Sequence, residues 1–290
     1  MSLAELQTIV AEPWADFGLI DSGAGRKYER YGAVRVIRPE PQAMWAPAND
    51  AWDADATFVP GSDEDGGGRW VHHRPVPADW PLARDGVRFH ASLTPFRHLG
   101  FFPDMAPQWD WMRDRVRPDD EVLNLFGYTG VGSLLLSEKG ARLVHVDASK
   151  KSVEGARRNA GLSGMAERPI RWLVEDAAKF TAREVRRARR YDGILLDPPK
   201  FGRGPNGETW RLEEGLAPLV ADCAALLDER SRFLVLTVYA VRMSALSIGE
   251  LLRQATARLG GAVECGEMAV REEARGLLLP TAIFARWRRD

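Results

Sequence analysis

From Asp120 onward, short apolar runs alternate with longer amphipathic stretches, and this alternation leaves few folds open to the chain. The spacing predicts strands at Val122–Phe126, Arg142–Val146, Ile170–Val174, Gly193–Leu196 and Phe233–Val238. Between them it predicts helices at Gly132–Glu138, Lys150–Ala160, Ala178–Arg189 and Leu212–Leu227. Strand–helix–strand repetition of this kind requires a parallel sheet with right-handed crossovers and helices on both faces. The tail, Ala262–Met268 and Leu277–Trp287 around a turn-rich Glu272–Gly276, reads as two further strands forming a terminal hairpin. The expected fold is therefore α/β: a doubly wound, mostly parallel, seven-stranded sheet.

The first part of the chain has another texture. Tryptophan is dense there, and Pro/Gly punctuation is frequent. Alternating stretches at Lys27–Tyr31 and Val34–Arg38 suit half-exposed antiparallel strands, and Asp21-Ser22-Gly23-Ala24-Gly25 reads as a turn. Ser62–Gly68 reads as a loop, Val87–Phe102 as a hairpin, and Asp104–Arg115 as a helix with Asp104 as its N-cap. The expected division is a small, mostly β N-terminal domain over residues 1–115, presenting substrate, and the α/β domain over 116–290.

Charge narrows the range of partners. Lys and Arg number 40 against 41 Asp and Glu, so any surface for a polyanion must be a local patch. No apolar run approaches the roughly 18 residues of a membrane span, so no membrane association is expected. Met1-Ser2-Leu3-Ala4-Glu5-Leu6 does not read as a signal peptide. The two cysteines, Cys223 and Cys265, are too few and too far apart for a disulfide framework or a zinc site. A reducing cytoplasm is the expected compartment. No metal is expected, since His72-His73 lacks companion ligands. A homodimer stays open.

Residues at the predicted strand ends point to chemistry. The run Ile194-Leu195-Leu196 stops at Asp197-Pro198-Pro199-Lys200-Phe201. Two prolines forbid further ladder bonds and hold the chain extended, fixing Asp197 just beyond the carboxyl end of a strand. Open α/β sheets bind ligands there. A carboxylate beside rigid carbonyls can accept hydrogen bonds from an amino group on a planar ring, with Phe201 against its face. The competing reading is a tight turn in which Asp197 caps the next segment.

The other strands end in kind. The first runs into Asn124-Leu125-Phe126-Gly127-Tyr128-Thr129-Gly130, a glycine turn that lets backbone N–H groups approach a ligand. Its spacing does not match G-x-G-x-x-G, which disfavours a nicotinamide dehydrogenase. The second ends at Asp147-Ala148-Ser149, where an acid can hold a ribose diol or start a helix. The third ends at Glu175-Asp176-Ala177, in line with an adenine amino group. Agreement of four strand ends outweighs the bland reading of each.

These residues resemble class I S-adenosylmethionine-dependent methyltransferases, with their Rossmann-like fold. Asn124–Gly130 together with Asp197–Phe201 is similar to the bacterial large-subunit rRNA methyltransferases, a family of cytosine-C5 and guanine-N enzymes. Arg88-Phe89-His90 through Phe101-Phe102-Pro103-Asp104 resembles the segment preceding their catalytic domain, and Asp21–Arg30 resembles related members of unassigned role. The resemblance covers residues 85–290. It implies S-adenosylmethionine as cofactor, with Asn124, Phe126 and Gly127–Gly130 beside its methionine part. It also implies Asp147, Ala148 and Ser149 at the ribose, and Asp176 and Ala177 near the adenine. Asp197 touches both cofactor and substrate; with Pro198, Lys200 and Phe201 it forms the expected catalytic set. RNA, rRNA foremost, is the implied substrate.

The acceptor is constrained by what is missing. Cytosine-C5 enzymes attack with a cysteine thiolate, and neither Asp197–Lys200 nor Thr237-Val238-Tyr239-Ala240 contains one. A base nitrogen needs only alignment with the activated methyl, Asp197 serving as orienter and proton acceptor. Two basic clusters offer RNA contacts. Arg183–Arg190 either holds a backbone or is a solvated helix face. Arg26, Lys27, Arg30, Arg35 and Arg38, interleaved with Tyr28 and Tyr31, either stack on unpaired bases or form an outward strand face. A small-molecule or protein methyltransferase, and a non-catalytic binding module, remain the rival readings.

Overall fold

The computed structural model describes residues 5–61, 67–239 and 242–289, so residues 62–66 of the Ser62–Gly68 segment and Ala240 lie outside the described residues. Two units divide the chain: one holds residues 1–9, 108–268 and 281–290, the other 10–107 and 269–280. A boundary near residue 115 thus lies a few residues late, and a short stretch of the tail joins the β unit.

After β1 (Gln7–Ala11) come the strands of the β unit: β2 (Phe17–Gly23), β3 (Arg26–Tyr31), β4 (Val34–Pro39), β5 (Ala56–Pro60) and β6 (Gly68–His72). They form one sheet in that order, and β7 (Trp80–Arg84) pairs with β8 (Val87–Ala91). The hairpin expected over Val87–Phe102 therefore starts earlier. Its turn is Asp85-Gly86, both at positive φ (48° and 83°), the two-residue geometry that matches strand twist. The tail residues belong to this unit because Arg275 donates to the buried Asp21 carboxylate at 3.2 Å and to the Glu272 carboxylate at 2.7 Å. Asp21 also accepts N–H bonds from Ser22, Ala48, Asn49 and the Trp52 indole.

The next segment of the other unit begins at residue 108, inside α1 (Ala106–Arg113), which a 3-10 turn over Pro103–Met105 precedes. Asp104 lies inside that turn, 5% exposed, so it is not the N-cap expected of it. Then follow β9 (Glu121–Leu125), α2 (Val131–Glu138), β10 (Arg142–Asp147), α3 (Lys150–Leu162), β11 (Ile170–Val174), α4 (Ala177–Arg186), β12 (Gly193–Leu196), β13 (Phe201–Arg203), β14 (Thr209–Arg211), α5 (Leu212–Ala225), β15 (Phe233–Tyr239), α6 (Ala245–Thr256), β16 (Ala262–Arg271) and β17 (Leu278–Arg288). The main sheet runs β1-β16-β17-β15-β12-β9-β10-β11, with β17 antiparallel to β15. The seven expected strands are all present, and β1 adds an eighth at the edge. It fits because Gly266 carries no side chain: a Cβ there would stand 1.7 Å from the Gln7 carbonyl.

Strand alternation sends successive side chains to opposite faces. Leu123, Leu125, Ile194 and Leu196 join Leu216, Leu219 and Val220 of α5, Phe180 of α4 and Ile248 of α6 in one apolar cluster. Asn124 and Leu195 point the other way, toward Ser133 and Gly132 of α2. The sheet is thus covered on both faces. Among the described residues, no helix is long and apolar enough to cross a membrane.

Candidate active site at the carboxyl edge of the sheet

Register places the strand ends on one level. Leu125 pairs with Val146 and Leu196, Asp147 with Val174, and Leu196 with Leu236. Phe126, Asp147 and Asp197 therefore leave the sheet side by side. The chain departs from β9 toward β10 on one side and β12 on the other, so they flank the topological switch point where such sheets take ligands.

The glycine turn is unusual in its backbone. Phe126 and Tyr128 both adopt positive φ (56° and 49°), as does Gly130 at 79°. Two non-glycine residues in this region cost free energy and mark a shape held by its surroundings. The Gly127 N–H donates to Val146 O (3.0 Å), that of Tyr128 to Asp147 Oδ2 (2.8 Å), and that of Gly130 to Gly127 O (3.0 Å). Asn159 on α3 donates to Thr129 O at 3.0 Å.

Beneath the turn lies a polar chain that the sequence did not reveal. The Asn124 amide donates to Ser133 Oγ (2.9 Å), which sits 3.0 Å from His145 Nδ1. All three side chains are buried, so Asn124 reaches the site through its support of α2 and His145. His145 lies edge-on to Trp172, and a Cβ on Gly127 would come within 2.3 Å of its ring. Burial pushes the His145 pKa down to about 4. A histidine held neutral in the fold but free to protonate when unfolded contributes stability that is complete above about pH 6.5. That contribution is lost as pH falls toward 4. His145→Gln is expected to remove up to about 3 kcal/mol of the acid-side slope in denaturant-unfolding stability between those pH values. An unchanged slope would contradict it.

Asp147 is half-buried; desolvation raises its carboxyl pKa, while N–H bonds from Ser149 and Tyr128 pull it back. Each oxygen accepts one backbone N–H and keeps a lone pair for a hydroxyl, so the carboxylate can take a vicinal diol. Ser149 caps α3 by accepting the Ser152 N–H, and Ala148 is half-buried between them. Asp176 caps α4, accepting the Lys179 N–H at 2.9 Å, with Ala177 buried behind it. Glu175 is engaged by Arg183 at 2.7 Å, which leaves Asp176 as the acid at this strand end.

Asp197 stands half-buried past β12, Pro198 is buried, and Lys200 is exposed. Phe201 opens a hairpin, β13 against β14, and is 48% exposed. The sequence carried its signal, Asn206-Gly207 at the tip, with Gly207 at φ 87°. Trp210 on β14 is 6% exposed; its indole donates to Pro199 O at 2.7 Å, and its ring lies 5.2 Å from Phe126. One side chain thus ties the Asp197 segment to the glycine turn. Trp210→Phe keeps an aromatic ring and removes the hydrogen bond, and is expected to lower kcat about fivefold. Affinity for S-adenosylhomocysteine, read by calorimetry, stays unchanged; an unaltered kcat would refute the tie. Tyr239 is half-buried at the end of β15.

Other expectations sort clearly. Cys223 lies in α5 and Cys265 in β16; both are buried, as small core residues are. Tyr28 and Tyr31 are core residues rather than a stacking platform: Tyr28 packs flat on Trp52, and Tyr31 accepts from Arg38 (2.7 Å), itself paired with Glu29. Within Arg183–Arg190, Arg183, Arg187 and Arg189 pair with Glu175, Glu184 and Glu121. Glu121 starts β9, so Arg189 sits at the opposite edge of the sheet from Asp197.

Comparison with known proteins identifies the family. Residues 41–217 match a family described as S-adenosylmethionine-dependent methyltransferase. The crystal structure of the SAM-dependent methyltransferase from Agrobacterium tumefaciens is 43% identical, with a TM-score of 0.91, over 99% of this chain and 96% of that one. The ribosomal RNA large subunit methyltransferase K/L of Pseudomonas putida is 33% identical over 51% of this chain. The ribosomal RNA large subunit methyltransferase I of Tolumonas auensis is 30% identical over 53%. The matched part spans 19% and 36% of those two relatives' lengths.

Proposed function

Starting from the fact that this chain belongs to the S-adenosylmethionine-dependent methyltransferase family, we propose that it methylates a base nitrogen of RNA, rRNA foremost, by direct in-line transfer. The observation that carries the reading is Asp197, fixed by two prolines at the strand end on the level of the glycine turn, while both cysteines of the chain are buried in other elements. The edge fits the cofactor: Asp147 offers free lone pairs for a diol, and Asp176 a further acceptor. When bound, S-adenosylmethionine supplies a methyl group on a positively charged sulfur, already activated. What remains for the protein is alignment.

Asp197 accepts an N–H of the target amine, raises electron density on that nitrogen, and takes up the proton released on transfer. Pro198 holds the carboxylate and presents its carbonyl as a second acceptor. Phe201 and Lys200 stand on the substrate side. Support for RNA comes from the two rRNA methyltransferase relatives. A homodimer gains no support, and the proposed site is built within one chain. Incubation with methyl-labelled S-adenosylmethionine and total RNA tests the reading. Label that ribonuclease releases supports it; label in protein or small molecules, or none at all, overturns it.

A further inference from the structure

The hairpin beside Asp197 has two unlike faces. Trp210 and Gly202 oppose each other on the inner face, and the indole there anchors the strands to Pro199. Phe201, Arg203, Thr209 and Arg211 alternate onto the outer face, and all four are exposed. Phe201 stands directly across from Arg211 and two residues from Arg203. Arg203 makes no ion pair among the described residues, and Arg211 reaches only Glu214, at 3.9 Å. Lys200, also exposed, precedes the strand.

Phe201 is thus an exposed aromatic ring with two arginines beside it on the same face. It suits an unpaired polynucleotide: a base stacks on the ring while guanidinium groups take the flanking phosphates. A duplex would hide its base faces from Phe201. We propose that the outer face of β13–β14 is the surface on which a single-stranded RNA segment is held next to Asp197. The inference rests on the RNA reading above and adds the strand form and the residues that grip it. Trp210 makes it more than a passive patch, since the same hairpin that grips the strand is hydrogen-bonded to the Asp197 segment.

The test is fluorescence anisotropy with a labelled, unstructured 12-nucleotide RNA of mixed sequence, and with a 12-base-pair RNA duplex, across a salt series. Arg203→Gln/Arg211→Gln is expected to weaken single-strand binding about tenfold and to reduce the log–log salt slope by about 1.4, because two phosphates are no longer neutralised by the protein. Phe201→Ala is expected to weaken it about tenfold with little change in slope. Thermal melting and S-adenosylhomocysteine affinity of the arginine variant, which leaves the cofactor side untouched, report on folding. If the wild-type protein binds the single strand and both variants match it, the hairpin is not the surface, and the RNA reading stands. Preference for the duplex also overturns the inference. If the wild type binds neither RNA, the RNA reading itself falls.

Discussion

Asp197→Ala is expected to lower kcat for methyl transfer by about 10²- to 10⁴-fold, the range for loss of a positioned acid–base group. In the proposed reaction the carboxylate would hold the amine in line and receive its proton. S-adenosylhomocysteine affinity should fall far less than kcat, because the amine that Asp197 orients is absent from that complex and only a contact with the cofactor is lost. Asp197→Asn retains an acceptor oxygen but not the basicity, so its activity should fall between the two. Single-turnover transfer to RNA, paired with calorimetry, separates the outcomes. Equal losses in kcat and cofactor affinity would make Asp197 a cofactor ligand only.

Gly127→Ala carries the second large effect, on the cofactor side. The new Cβ would stand 2.3 Å from His145 Cε1 and 2.5 Å from Nδ1. The imidazole cannot step aside easily: it is fully buried, held 3.0 Å from Ser133 Oγ, and packed against Trp172. Overpacking of this kind costs about 1–3 kcal/mol, and the relief available is movement of the turn. The Tyr128 N–H would then leave Asp147. Affinity for S-adenosylhomocysteine is expected to fall about 10- to 100-fold. Adding His145→Ala removes the overlapping ring and should restore part of the loss, a coupling that a double-mutant cycle reads directly. Additive losses would show that His145 does not set the height of the turn.

Much of this was legible in the sequence, for identifiable reasons. Strands such as Ile170–Val174 and Gly193–Leu196 are apolar-rich runs bounded by turn residues, and their bounds match the structure. The acids Asp147 and Asp197 could be placed because each closes such a run. What stayed hidden depends on residues distant in sequence. Strand β1 is recognisable only beside Gly266, and the His145–Ser133–Asn124 chain only once β9, α2 and β10 are assembled. Trp210 has no local signal of its role, which rests on Pro199 accepting its indole proton. Tyr28 and Tyr31 misled for the same reason: alternation fixes which residues share a face but not which face is outside. Local signals were also missed, Asp85-Gly86 and Asn206-Gly207 being the turn pairs that start hairpins.

We propose methyl transfer from S-adenosylmethionine to an RNA base nitrogen at Asp197. Nucleoside mass spectrometry of RNA from a strain lacking the protein, compared with its parent, tests it most directly. One N-methylated nucleoside should be missing, restored by the wild-type gene and not by Asp197→Ala. An unchanged nucleoside profile, or full restoration by Asp197→Ala, would contradict it.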